Sequence, residues 1–171
     1  MNRHKDHTAT EPTGDRVELR KEAWVMALYV AVCLLAALTA LAEDSSDGHL
    51  RALGVIWGTT IGLTLAHVFA FRVSARLVAQ GQIRRGDAAT VGAQLVGSAA
   101  VAVLATIPVL MWPASAELDA VRWSLALFVA VVGFVVARGA GAGTMRSAIY
   151  GAVLFVAAVT IAITKNILSG H

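Results

Sequence analysis

His67 carries more chemistry than any other residue in this sequence. Apart from Cys33 and the two tyrosines, it is the only titratable side chain well inside an apolar stretch. Ionisable groups within a membrane are functional candidates by default, and histidine changes charge near neutral pH. Trp57, Thr60, Thr64, His67 and Phe71 recur at intervals of 3, 4, 3 and 4, which keeps them on one helical face. His67 lies about 7.5 Å from the level of Arg72 at 1.5 Å per residue. Gln94, Ser98, Tyr29 and Tyr150 fall close to that depth in their own apolar stretches. The expectation is a polar intramembrane layer of His67, Thr64, Gln94, Ser98, Tyr29 and Tyr150. A proton-sensitive or ligand-binding group facing a cavity would use it. The plainer reading makes His67 a structural link between helices and the tyrosines part of an interfacial aromatic belt.

Other groupings are weaker. Glu43, Asp44, Asp47 and His49 are close enough to gather a hard cation, but they lack the spacing of a calcium loop. A hydrated loop that caps the next helix accounts for them. Glu117 and Asp119 add acids on that side, enough at most to concentrate cations near an entrance. Gly139, Gly141 and Gly143, between Arg138 and Arg146, suit a backbone anion nest. They lack the lysine and hydroxyl of a P-loop and read more simply as a connector.

The absences weigh more. No apolar stretch contains Asp or Glu, so a carboxylate relay or a two-aspartate protease has no residues to work with. There is no HExxH, one imidazole cannot build a zinc site, and no nucleophile–base pair stands out. An enzyme is not expected, nor is a cofactor or a metal. Cys33 is the only cysteine and reads as a small packing residue.

What must position these residues is a set of membrane-crossing helices. The 171 residues are 57% hydrophobic and 15% charged, with mean hydropathy +0.70. A soluble domain averages about 45–50% apolar and 25% charged. The excess gathers in five blocks, at about 24–42, 50–71, 88–111, 120–137 and 147–164, each long enough to span. No alternating pattern favours a barrel. The fold class is therefore all-α, a polytopic transmembrane bundle of five spans over 23–171. A polar tail over 1–22, at least partly disordered, precedes it.

Lysine and arginine set the orientation. Eleven lie in the tail and in the loops after the second and fourth blocks, against Arg51, Arg122 and Lys165 on the other side. The positive-inside rule then places the N-terminus in the cytoplasm and the C-terminus outside, in a plasma membrane with anionic inner-leaflet lipids. The net charge of +3 and pI near 9.5 follow from this bias, so nucleic acid is not an expected partner. Ala40-Leu41-Ala42 resembles a signal-peptidase site, but the apolar run before it is long for one. Asp47 and Asp87 are placed to cap the second and third helices, and Gly81 to end the second. Trp24, Trp112 and Trp123 fall at block ends, where a belt belongs.

Gly54, Gly58 and Gly62 recur every fourth residue and continue through Ala66. Such a stripe lets two helices approach until their backbones touch. With polar residues opposite, the second span is expected to be central. Two functions follow. The first is a non-enzymatic scaffold or accessory subunit that packs through the stripe, in a homo-oligomer or on a partner membrane protein. The alternative is a small transporter or channel with a polar pathway around His67.

The run from Trp57-Gly58-Thr59-Thr60-Ile61-Gly62 through His67-Val68-Phe69-Ala70-Phe71-Arg72, with Lys165-Asn166-Ile167-Leu168, resembles small integral membrane proteins of high-GC actinobacteria. The resemblance implies five spans. It implies no activity, site residue or cofactor.

Overall fold

The computed structural model describes residues 12–41, 48–78, 85–113 and 116–168. They form five helices: α1 Pro12–Thr39, α2 Gly48–Val78, α3 Arg85–Met111, α4 Glu117–Gly139 and α5 Thr144–Leu168. Each is long and apolar enough to cross a membrane, and no strand occurs among the described residues. In hydrocarbon a helix satisfies its backbone groups within itself, which is why the apolar blocks become helices. Asp47, Gly81, Ala42 and the tail up to residue 11 lie outside the described residues.

Helix α1 starts well before the first apolar block. Pro12 opens it, as proline can where no N–H partner is required, and Asp15 sits in its first turn. Residues 12–22, expected in the polar tail, thus form the first three turns of α1. Asp87 lies inside the first turn of α3 instead of capping it, because that helix already begins at Arg85.

The core is built around α1, which packs against all four other helices. Val30, Ala31, Leu34 and Leu38 are fully buried along it, and Val101, Ala105, Val121 and Leu125 meet them from α3 and α4. Helix α2 is held by α1 and α3 and lies at the edge. The expectation of a central second span is therefore overturned. Ala52, Ile56, Thr60 and Thr64 form its buried face, while Gly54, Gly58, Gly62 and Ala66 are exposed on the other. A Cβ built on any of these three glycines meets nothing within 4 Å.

Close backbone approach occurs elsewhere, where helices cross tightly. Gly97 of α3 lies against the Ala23 carbonyl of α1. Gly151 of α5 faces α4, and a Cβ there would sit 2.7 Å from the Ala130 carbonyl oxygen. Gly133 answers it from α4, beside the Leu154 side chain.

The glycine-rich stretch after α4 is a helix stop. Gly141 has φ +83°, the Ala142 N–H donates to the Ala137 carbonyl at 3.1 Å, and the Gly141 N–H to that of Arg138 at 3.0 Å. This is a Schellman arrangement, with glycine where a left-handed residue is required. Two N–H groups that an anion nest would need are thereby engaged.

These placements separate two kinds of glycine. Gly151→Ala is expected to destabilise the protein in mild detergent by about 1–3 kcal/mol through overpacking. Gly58→Ala is expected to leave it unchanged or up to about 1 kcal/mol more stable, from helix propensity alone. Thermal unfolding of both variants checks this, and equal losses would refute the assignment of faces.

Candidate functional site

The inward face of α2 carries a histidine at each end. His49 and His67 are separated by five full turns, about 27 Å, so both point the same way. Between them lie Ala52 and Ile56, fully buried, then Thr60 and Thr64, nearly so. Read from His49, this face is polar, then apolar, then polar again.

Thr60 and Thr64 meet Ser98 of α3 across a groove of about 200 Å³. Trp57, Ile61, Leu65 and Leu95 form its apolar rim, and all four are exposed at the bundle surface. Each hydroxyl donates to its own helix: Thr60 to the Ile56 carbonyl at 2.7 Å, Thr64 to that of Thr60 at 2.7 Å, and Ser98 to that of Leu95 at 3.0 Å. A hydroxyl that donates in this way still has lone pairs with which to accept. The three hydroxyls can therefore receive a donor, while their own hydrogens are engaged.

One turn from Ser98, toward the end where α1 and α3 begin, Gln94 is buried. Its Nε2 donates to Glu22 Oε2 of α1 at 2.9 Å, and its own Oε1 has no partner. An amide oxygen buried in this way costs about 1–3 kcal/mol.

Thr64 and Ser98, matched by depth in the sequence, thus do share a groove. Gln94 turns instead to Glu22. His67 is part-buried and has no hydrogen bond or ion pair among the described residues. Tyr29 and Tyr150 are each about half exposed, at 50% and 48%, on the outside of the bundle. The six residues are accordingly not gathered into one layer, because the phenol rings pack at the surface, as amphipathic aromatics do.

A second polar group, not expected from the sequence, closes the other end. Glu117 is fully buried at the start of α4, and Oε2 lies 3.1 Å from His49 Nδ1. The alignment is not that of a hydrogen bond, and neither carboxylate oxygen has another partner. The positive end of α4 favours the carboxylate by about 0.3–1 kcal/mol, short of the several kcal/mol that burying an ion costs. His49 is therefore the compensating group when protonated.

Arg122, one turn further on, donates to the Leu38 carbonyl at 2.9 Å, more loosely to that of Leu41 at 3.4 Å, and to Asp119 at 2.9 Å. It caps the last turn of α1, where carbonyls lack partners. Glu43, Asp44 and Asp47 lie outside the described residues. Among those described, no three His, Cys, Asp or Glu gather as a metal site would require.

The sequence offered little signal for these contacts. His49 and Glu117 lie in different connections, and Gln94 and Glu22 are 72 residues apart. Arg122 alone gave a hint, as an arginine inside the start of a span.

No protein-family model, curated protein or solved structure matches the chain.

Two substitutions divide framework from site. Arg122→Leu is expected to destabilise by about 2 kcal/mol, the scale of a charged hydrogen bond. His67→Leu is expected to change stability by less than about 0.5 kcal/mol, since no bond is lost. Denaturation in detergent compares them, and a large loss for His67→Leu would make that histidine structural.

Proposed function

We propose that the protein is a small transporter or channel, and that its path follows the inward face of α2. One observation carries this reading: Glu117 is fully buried inside the bundle, on a histidine of that face. Coupled transport usually draws on charged groups within the spans. The helices do include carboxylates, at Glu22 and Glu117, one toward each end.

Between them the path runs by Gln94, Ser98, Thr64 and Thr60, then meets Ala52 and Ile56. Those two fill the interior without a polar atom, as a closed gate would. His67, on the same face, stands at the end marked by Arg72. By the arginine and lysine count this end is cytoplasmic and the His49–Glu117 end faces outward.

A scaffold role for the stripe remains as a second reading. A Cβ built on Gly54, Gly58 or Gly62 meets none of the described residues within 4 Å, which leaves room for a second copy or a partner membrane protein. The two readings are compatible, since the stripe and the path lie on opposite faces of α2.

Reconstitution in proteoliposomes tests the proposal with a panel of protons, alkali cations, halides and small neutral solutes. Selective flux is expected, and joint replacement Thr60→Val with Thr64→Val is expected to lower it by about tenfold, some 1.4 kcal/mol on the barrier. Both side chains are isosteric, so the fold should be kept. Absence of flux for every solute, with a stoichiometric partner recovered from native membranes, would overturn transport in favour of the scaffold.

A further inference from the structure

We infer that His49 and Glu117 form a one-proton site that latches the start of α2 to the start of α4, and that losing the proton releases it. The inference rests on the geometry of the pair and not on transport, so the two stand or fall separately.

Glu117 is completely buried, with neither oxygen hydrogen-bonded, and His49 Nδ1 lies 3.1 Å from its Oε2. With one proton on the pair, the charges cancel. Without it, a carboxylate lies in the bundle beside a neutral imidazole, which is the arrangement a protein interior tolerates least. The strain is relieved only if water reaches the carboxylate, and water enters by moving the first turn of α2.

Two features suit this. The His49 side chain is 44% exposed, so protons in the adjoining solution reach it directly. Helix α2 rests on α1 and α3, and this pair is its polar tie to α4.

Other charged groups nearby have different engagements or different directions. On α4, Arg122 is directed to Asp119 and to the α1 carbonyls of Leu38 and Leu41. On α2, Arg51 is exposed and has interactions of its own. The last turns of α1 and α3 carry no charged side chain. Glu43, Asp44, Asp47 and the Lys165 side chain lie outside the described residues.

The sign follows directly. The proton is held toward the acid side, where the latch is closed, and its loss as pH rises opens it. Fully buried Ala52, one turn below His49, becomes wet on opening.

The test uses the full chain in liposomes, with Cys33→Ala and a single reporter, Ala52→Cys. Its labelling rate by a membrane-impermeant maleimide is divided by that of Leu50→Cys, an exposed reference, to remove the pH dependence of the thiol itself. The ratio is expected to rise by about tenfold or more between pH 5.5 and 8, within what one linked proton allows. In Glu117→Gln, which has no buried charge to relieve, the ratio should be flat. A flat ratio with Glu117 intact, or an undiminished rise in Glu117→Gln, overturns the inference. Should Ala52→Cys not fold, hydrogen exchange over 49–56 in the unsubstituted chain reads the same opening. Exchange there that does not accelerate with pH beyond the intrinsic rise of an unprotected amide overturns it equally.

Discussion

Lipid removes the force that holds soluble helices together. Tails are as apolar as leucine, so a helix gains nothing by burying leucine against protein in preference to membrane. Cohesion must come from close fit and from polar groups that lipid cannot satisfy. Everything in this bundle depends on how α1 meets that constraint. Its carbonyl at Ala23 receives Gly97, its Glu22 accepts from Gln94, and its last turn is held by Arg122. Four apolar residues of its middle are sealed on all sides. Helices α4 and α5 meet the same constraint through their own glycine contact at Gly133 and Gly151.

Helix α2 stands apart in this respect. Its backbone glycines are turned away, and its hydroxyls bond to its own carbonyls, so neither device ties it to the rest. What it has is shape against α1 and α3, and at one end the charged contact of His49 with Glu117. A helix held in this way is the one most readily displaced without unfolding its neighbours. Function in small bundles needs such an element, since the remainder is fixed by packing.

The spans themselves were legible, because length and apolarity are local properties that hydrocarbon selects directly. So was the existence of two unlike faces on α2, from the period of its glycines and threonines. Which face turns inward was not legible. In water an apolar face is driven to the core, but in lipid both faces are acceptable and only the fit decides. The same cause hid the start of α1, where Glu18 and Lys21 lie beyond the apolar block on a helix that simply continues. Contacts such as Glu117 with His49 were out of reach for another reason. They join residues that are remote in the chain, and no spacing rule connects them.

The centrality of α1 also bears on how the bundle comes together in time. Chains emerge N-terminus first, and α1 precedes every helix it packs against. Until α3 follows, Glu22 has no glutamine, and until α4 follows, the end of α1 has no arginine. The hairpin of α4 and α5, closed by the tight stop at Gly141, can form from neighbours in sequence alone. Of these five helices the earliest made is thus the last to be completed, and its early exposure makes it the one most dependent on whatever shelters nascent spans during synthesis.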